Sequence, residues 1–401
     1  MKYKTIASLL LLAFLGNVNG QVFYPHNWEY IAIDSTKKMW GDFDEPGWLR
    51  YFGVDYGDVN EDGYIDIISG RYVYHNPGGD MTGEWKRTVL EENVDAILYV
   101  DVDGDEYADF IAQALPDVYW YEASNKQGSV YKRTKIASVA ATDHVNSQGF
   151  ETTQLVEGGK KEILIAGEDG IVAISIPEED PEKGNWPRQI IAENVSSEGI
   201  GTGDIDGDGD IDIACGRTPE GDHTPSLLVW FENPGNIEQE WTGYQVAMAN
   251  HAIDRVEIAD LTGDDEPEIV ITEERYPGQE PDANIFWYQS AEDKTSDWDR
   301  EWIATQYSSN NLDVGDIDKD GDLDILTNEH LGPDLELQLW ENDGKGNFTR
   351  HVIDKGKENH LGTQFVDLDG DGDLDILGNS WHQYNFMHIW RNDAGKTEAG
   401  L

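Results

Sequence analysis

The chain carries a recurring acidic nonapeptide whose residue types and spacing are suited to binding a metal ion. In the clearest copy, residues 367–375, aspartate occupies positions one, three, five, seven and nine. The carboxylates at positions one, three and five converge only where the chain turns tightly, which Gly372 permits. Calcium takes about six to eight hard oxygen ligands in a tolerant geometry, so carboxylates, a main-chain carbonyl near position seven and water suit calcium better than magnesium. We expect Asp375, at position nine, to close the ligand shell.

Copies of this nonapeptide begin at residues 58, 101, 154, 204, 260, 316 and 367. Five copies keep the ligand set, and their expected calcium ligands are Asp58, Asn60, Asp62 and Asp66; Asp101, Asp103, Asp105 and Asp109; Asp204, Asp206, Asp208 and Asp212; Asp316, Asp318, Asp320 and Asp324; and Asp367, Asp369, Asp371 and Asp375. The fifth copy has Thr262 at position three and should bind weakly through Asp260, Asp264 and Glu268. The third copy, from Gln154 to Glu162, has lost the ligands and is predicted to bind no metal.

The sequence around the loops predicts strands rather than helices. Apolar and polar residues alternate in residues 363–366 before the seventh loop and in residues 374–377 after it. The first half of an EF-hand loop has similar spacing, but that loop ends in a glutamate at position twelve and lies between helices. Each acidic loop is therefore predicted to be the tip of a β-hairpin. We expect the bound calcium to be structural, because nothing in the pattern places a cleft beside such a tip.

The period of the repeat predicts the architecture. Its 43 to 56 residues are typical of β-propeller blades. Six repeats continue with an aromatic third strand, such as residues 285–288, and the first six have a short fourth strand, such as residues 241–246. We expect the tryptophans of both kinds of strand to pack between blades. The seventh repeat lacks a fourth strand, whereas residues 28–34 match one and precede every loop. We predict an all-β, seven-bladed propeller of four-stranded blades, closed by the N-terminal strand pairing in the last blade, because closure hides the sheet edges.

The repeated Asp-x-Asp-x-Asp-Gly-x-x-Asp-[Leu/Ile] hairpins, followed by aromatic strands over essentially the whole mature chain, resemble the FG-GAP/VCBS repeat family. This resemblance implies a calcium-bearing β-propeller, as in the integrin head. The Phe-Gly and Gly-Ala-Pro signatures of integrin blades are missing, so an integrin-like mode of ligand binding is not implied. The chain is also similar to the propeller part of aldos-2-ulose dehydratase and of calcium-containing polysaccharide lyases, although no catalytic motif of theirs matches residue by residue.

The hairpin topology places a second set of reactive side chains on the face opposite the acidic loops, where strand one begins and strand two ends. In so acidic a chain, cationic and imidazole groups at equivalent ends of several blades indicate a pocket for an anionic or polyhydroxylated ligand. Arginine binds carboxylates, histidine transfers protons near neutral pH, and an indole stacks on a sugar ring. The candidate catalytic residues are His251, His330, His382, Arg217 and Arg275. The candidate substrate-binding residues are Arg71, Arg255, His360 and Trp381.

These residues support two classes of function. The first is a carbohydrate lyase or dehydratase that removes a proton next to a carbonyl group or a uronate carboxylate, with an arginine neutralising the acid and a histidine acting as the base. The second is a non-catalytic propeller that binds glycan or an extracellular protein through the same face. Propellers host both classes, so the fold does not decide between them. Hydrolysis by paired carboxylates is a third option, but 80 acidic residues give no basis for choosing a pair.

Composition and targeting signals add further expectations. The chain has 80 acidic and 28 basic residues and a net charge of −52, which argues against nucleic acid or an anionic membrane as a partner. Residues 1–20 match a secretory signal peptide, so we expect a secreted protein, periplasmic or extracellular, with one propeller domain over residues 21–401. No later apolar run approaches the roughly 20 residues of a membrane span. Cys215 is the only cysteine, so calcium is expected to provide the stability that disulfides give many exported proteins.

Overall fold

The computed structural model describes residues 27–40, 49–90, 93–105, 107–275 and 280–393, and it confirms the predicted fold. Within these residues, 28 strands form seven antiparallel sheets of four strands each, and neighbouring sheets contact one another as the blades of a ring. Strand β1 (Trp28–Asp34) belongs to the last blade. The predicted signal peptide lies outside the described residues. No helix within them is long and apolar enough to cross a membrane.

Blades one to six follow chain order from the central channel outwards. Blade one contains β2 (Asp55–Gly57), β3 (Asp66–Ser69), β4 (Tyr72–His75) and β5 (Lys86–Val89). Blade two contains β6 (Asp95–Tyr99), β7 (Asp109–Ala114), β8 (Asp117–Ala123) and β9 (Tyr131–Ser138). Blade three contains β10 (Phe150–Thr153), β11 (Glu162–Gly167), β12 (Gly170–Ser175) and β13 (Arg188–Ala192). Blade four contains β14 (Val195–Gly203), β15 (Asp212–Arg217), β16 (Leu227–Glu232) and β17 (Thr242–Met248).

Blades five to seven complete the ring. Blade five contains β18 (Ala252–Ala259), β19 (Glu268–Glu274), β20 (Ala283–Gln289) and β21 (Asp299–Gln306). Blade six contains β22 (Asp313–Gly315), β23 (Asp324–Asn328), β24 (Leu337–Asn342) and β25 (Phe348–Asp354). Blade seven contains β26 (Gln364–Val366), β27 (Asp375–Asn379) and β28 (Met387–Asn392), with β1 as its outer strand.

The pairing of β1 with β28 closes the ring as predicted. The two strands are antiparallel, with Tyr30 opposite Trp390 and Ile31 opposite Ile389. The rings of Tyr30 and Trp390 lie 5.5 Å apart between centroids. Strands from the two ends of the chain therefore share one sheet, which leaves the last blade with its fourth strand.

The hydrophobic core lies between neighbouring blades. The second strands carry continuous apolar runs, such as β11, because both of their faces are covered. One core cluster joins Leu228 and Trp230 of blade four to Val256 and Phe286 of blade five. This packing confirms the prediction that the tryptophans of the third strands lie between blades. The prediction is wrong for Trp302 on the fourth strand of blade five, which is 62% exposed.

Candidate functional site

The acidic loops lie at the tips of the hairpins between the first and second strands. In the seventh loop, Asp367 accepts the N–H of Gly372 through Oδ2 at 3.0 Å, and Asp369 accepts the N–H of Asp371 at 3.2 Å. Gly372 has a φ of 90°, which an L side chain rarely adopts. The same two hydrogen bonds recur in the fourth and sixth loops. These bonds bend each loop so that its carboxylates lie around a common centre.

The donor atoms of these loops fit calcium. Within the described residues, the second, fourth, sixth and seventh loops each contain three carboxylates that offer one oxygen within 4.8 Å of the others. Asp316 Oδ1 and Asp367 Oδ1 are buried and accept no hydrogen bond. Buried oxygen atoms in folded proteins nearly always accept a hydrogen bond or bind a cation, and grouped carboxylates bind hard cations such as calcium. In the first loop, Asn60 replaces a carboxylate at position three.

Position nine has a second role that the sequence did not predict. The Asp212 carboxylate accepts the N–H of Ile205 at 2.9 Å and the N–H of Asn233 at 2.8 Å, so it links the second strand to the loop and to the third strand. The same pair of bonds is made by Asp66, Asp324 and Asp375. In the third copy, Glu162 keeps the first bond, accepting the Leu155 N–H at 2.9 Å, although the metal ligands are gone. Position nine therefore stabilises the hairpin in addition to its predicted role as a metal ligand.

On the opposite face, four of the predicted site residues meet in one cavity of about 200 Å³, which we call the histidine pocket. Its lining is Phe52, His144, Gln148, Glu274, Asn310, His330, Leu331, His360, Trp381 and His382. The His330 ring lies 4.3 Å from the His360 ring and 5.2 Å from the His382 ring. Trp381 lies 5.7 Å from His360 and stacks on Phe52 at 5.0 Å.

The ends of two second strands bring these side chains together. β23 ends at Asn328 and β27 ends at Asn379, so the residues that follow lie on the same face of neighbouring blades. The His330 N–H donates to the Ser308 carbonyl oxygen at 2.7 Å, and the His360 N–H donates to the Asn379 carbonyl oxygen at 2.7 Å. These main-chain bonds fix the connections that carry the imidazoles.

Glu358 lies beneath the pocket and contacts two of its imidazoles. Its Oε1 atom is 3.0 Å from His382 Nδ1 and 3.4 Å from His330 Nδ1, and its Oε2 atom accepts the Gln383 N–H at 2.7 Å. The Glu358 side chain is 1% exposed, whereas that of His382 is 57% exposed. Burial acts to raise the pKa of Glu358, but the imidazoles and the Gln383 N–H outweigh it and lower that pKa to about 2. The hydrogen bond with Glu358 raises the pKa of His382.

His360 differs from its neighbours in charge. Burial, and to a lesser extent the electrostatic influence of His330 and Arg255, lowers the pKa of His360 well below its ordinary value. Its imidazole is therefore neutral at pH values where proteins are normally stable. The histidine pocket thus combines a buried carboxylate, a neutral buried imidazole, an exposed imidazole and an indole.

Four other predicted residues are not part of this pocket. Arg275 pairs with Asp282, and His251 Nε2 lies 4.0 Å from the same carboxylate in blade five. Arg217 donates to a main-chain carbonyl oxygen at 3.1 Å and lines a separate cavity in blade four. Arg71 donates to a main-chain carbonyl oxygen at 3.0 Å in blade one. The four predicted residues that do converge come from the ends of strands in the adjacent blades six and seven.

Arg255 lines the central channel, a cavity of about 420 Å³. Its guanidinium group donates to the carbonyl oxygens of Gln148, at 3.0 Å, and Glu198, and it pairs with Asp254 at 3.2 Å. Burial raises the pKa of four carboxyl groups that line the same channel, those of Asp55, Glu151, Glu257 and Asp313. Gln148 lines both cavities, so Arg255 lies next to the histidine pocket without entering it.

The FG-GAP-like repeat family matches residues 204–271 and 260–327, which cover the fourth and fifth acidic loops and extend through the sixth. The matched segment begins at the fourth acidic loop and ends in β23 of blade six. The chain is a seven-bladed β-propeller that contains FG-GAP-like repeats. No curated protein sequence matches it.

Several solved structures share the fold of this FG-GAP β-propeller. An Agrocybe aegerita lectin, described as specifically recognising non-reducing terminal N-acetylglucosamine, is 15% identical with a TM-score of 0.51, over 82% of this chain and 90% of the lectin chain. BBS1N in complex with ARL6DN is 11% identical with a TM-score of 0.55 in a lead-soaked crystal, over 91% of this chain and 97% of that chain. The mercury-soaked crystal of the same complex gives 10% identity and a TM-score of 0.53, with the same coverage. At these identities the likeness shows the fold alone.

Three residues of the histidine pocket and its base were not predicted from the sequence: Glu358, Phe52 and Gln148. Glu358 precedes His360 by two residues, but nothing in the sequence distinguishes it among 80 acidic residues. Phe52 lies just before β2, as His360 lies just before β26, so alignment of the repeats could have identified it. Gln148 enters the pocket from the connection before β10, which no repeat signal marks.

Proposed function

We propose that this FG-GAP β-propeller is a secreted protein that binds carbohydrate in the histidine pocket. The observation that carries the proposal is the convergence of Trp381, three imidazoles and the buried Glu358 carboxylate around one cavity. An indole packs on the apolar face of a sugar, while imidazole and carboxylate groups exchange hydrogen bonds with its hydroxyl groups.

The charges around the pocket favour a neutral, hydroxyl-rich ligand over a uronate. The ionised Glu358 repels a substrate carboxylate. The arginines expected to neutralise such a group are engaged elsewhere, Arg275 with Asp282 and Arg255 with carbonyl oxygens and Asp254. We therefore favour the end of a neutral glycan, or a keto-sugar, as the ligand.

A second candidate function is a dehydratase or lyase acting in the same pocket. The specific observation in its favour is the contact between Glu358 and His382, because a carboxylate on Nδ1 orients an imidazole and raises its affinity for a proton. Nε2 of the exposed His382 ring is then the atom that removes a proton next to a sugar carbonyl group. The C–H proton passes to Nε2, the C–H electron pair forms a new C=C bond, and the C–O bond of the neighbouring carbon breaks as its hydroxyl group takes a proton from solvent and leaves as water.

We also propose that calcium binds the acidic loops and stabilises the ring. The grouped carboxylates and the unpartnered oxygens of Asp316 and Asp367 support this assignment. Export through the predicted signal peptide would bring the chain into a medium in which calcium is abundant. The two proposals agree, because a chain with one cysteine has no intramolecular disulfide to stabilise it outside the cell.

The proposed function is tested by passing the full chain, in calcium, over immobilised neutral glycans, with immobilised uronate polysaccharides as the comparison. We expect retention on a neutral glycan and its release by the free sugar. Soluble keto-sugars are incubated with the same protein and followed by the absorbance of an unsaturated product, which tests the second candidate. A chain that neither binds any glycan nor forms product, while retaining its calcium-dependent fold, would overturn both.

A further inference from the structure

We infer that His330, Glu358 and His382 form a binding site for one divalent transition-metal ion. One ligand atom of each residue lies within 4.8 Å of the other two. Glu358 Oε1 is 3.0 Å from His382 Nδ1 and 3.4 Å from His330 Nδ1. In a tetrahedral site with bonds of about 2.0–2.1 Å, neighbouring ligand atoms are roughly 3.3 Å apart. The two measured distances lie on either side of that value, so the group needs little movement to accept a metal.

The burial and hydrogen bonding of His330 support this inference independently. His330 is 6% exposed, and its Nδ1 atom is buried without a hydrogen bond. Buried polar atoms in folded proteins are nearly always hydrogen-bonded, so an exception requires a missing partner. This nitrogen points towards Glu358, which is itself 1% exposed. A metal ion between the imidazole and the carboxylate would satisfy both groups.

The ligand types select the kind of metal. Two imidazole nitrogens and one carboxylate oxygen suit zinc, iron(II) and similar divalent ions. Calcium and magnesium prefer sites made entirely of oxygen, such as the acidic loops. The propeller would therefore bind two classes of metal on its two faces, with calcium at the hairpin tips and a transition metal at the histidine pocket.

The surroundings match those of a metal site that also binds a ligand. Gln383 N–H holds Glu358 Oε2 at 2.7 Å, and the Ser380 hydroxyl donates to the Glu358 carbonyl oxygen. Such contacts orient a ligating carboxylate. His382 is 57% exposed at the mouth of the pocket, so a fourth coordination position would face the cavity. Three protein ligands with one open position are typical of metals that bind substrate or water.

Metal binding and proton transfer are alternative uses of the His382 imidazole. A metal at this site would replace the proton that Nδ1 otherwise donates to Glu358, and a sugar oxygen would then bind at the open position. Carbohydrate binding through Trp381 is compatible with either use. Metal binding is measured without any sugar. A protein that binds no transition metal can still bind glycan, and a protein that binds no glycan can still bind the metal, so the two proposals fail separately.

The experiment uses the full chain, stripped of transition metals with dipicolinate and kept in millimolar calcium. Titration with cobalt(II) should give one ion per chain, with the intense visible absorption of a four-coordinate site, and zinc should displace it. His382→Ala removes an exposed ligand and should weaken cobalt binding by more than about tenfold. Glu358→Gln should weaken cobalt binding by a similar factor. The matched control is His223→Ala, an exposed histidine between β15 and β16 that does not line the pocket.

Each variant is first melted in calcium, and cobalt affinities are compared only among variants that unfold in one cooperative transition. If Glu358→Gln does not fold, His382→Ala alone decides the test. No visible cobalt band in the wild type, or equal cobalt affinity in the His382→Ala and His223→Ala variants, overturns the inference.

Discussion

Asn233 Nδ2 donates a hydrogen bond to the main-chain oxygen of Leu155 at 2.9 Å, and this contact joins blade four to blade three. The Asn233 N–H also donates to Asp212, the position-nine residue of its own loop. One buried asparagine therefore connects the hairpin of its blade with the hairpin loop of the preceding blade, which is the copy without ligands. Equivalent bonds join two other pairs of adjacent blades: Asn76 to Leu368 at 2.9 Å and Asn342 to Leu261 at 2.8 Å.

Replacing Asn233 with alanine should destabilise the ring. The variant leaves the carbonyl oxygens of Leu155 and Ile211 without their donor, and leaving a buried polar group unpaired costs about 1–3 kcal/mol. Denaturant unfolding in calcium measures the change. Asn236→Ala, at an exposed position three residues later, is the control and should stay within about 0.5 kcal/mol of the wild type. Equal unfolding midpoints for the two variants would show that the bridge adds nothing.

The sequence predicted the blades because their signals are local. Alternation, turn residues and the acidic loops all fall within one repeat, and the repeat recurs seven times. The Asn233 bridge was not predicted, because its partner lies 78 residues away and no local pattern specifies that contact. The same limit applies to Glu358, which meets His330 only after two blades have packed together. Four of the nine candidate catalytic and binding residues converge because they lie on adjacent blades.

Removal of calcium should lower the melting temperature by more than about ten degrees. A loop that binds with a dissociation constant of about 10 μM in about 1 mM calcium contributes roughly 2.7 kcal/mol to the folded state, and several loops act together. Calorimetry in excess chelator, with add-back of calcium or magnesium, measures the effect. Only calcium should restore the original melting temperature. A melting temperature that does not change in chelator would show that calcium binding does not stabilise the ring.

Substitutions at positions three and nine of one loop should separate metal binding from hairpin stabilisation. Asp206→Ala should lower the melting temperature in calcium but have little effect in chelator. Asp212→Ala should lower it in both, because the N–H groups of Ile205 and Asn233 lose their acceptor, at a cost of at least about 2 kcal/mol. Gln154→Ala, in the loop without ligands, is the control and should not alter the response to calcium. Identical chelator responses of the Asp206 and Asp212 variants would contradict the second role of position nine.

Lys37 should make stability rise with pH in the alkaline range. Lys37 is 1% exposed, and its ammonium group donates to Asn379 Oδ1. Burial lowers its pKa from 10.5 to about 8, although the negative charges of Asp95 and Asp34 act to raise it. Between these two values the unfolded chain binds more protons than the folded chain, so the free energy of unfolding increases with pH, by up to about 3 kcal/mol. The measured quantity is the stability of the wild type minus that of Lys37→Met from pH 8 to 10.5. A difference that stays constant across this range would rule the effect out.

Trp381→Ala should abolish retention on the glycan that the wild type binds. The indole lies in the pocket beside His360 and stacks on Phe52, so its loss removes the flat apolar surface on which a sugar ring can rest. A fall in affinity of more than about tenfold corresponds to about 1.4 kcal/mol, within the range expected for one aromatic contact. Trp381→Phe keeps an aromatic ring against Phe52 and should retain part of the affinity. This variant shows whether the loss in Trp381→Ala comes from the missing aromatic surface or from a rearranged pocket. Trp302→Ala removes an indole that is 62% exposed on β21 and should bind as the wild type does. If the Trp381→Ala and Trp302→Ala variants are retained equally, the glycan binds at another surface of the propeller.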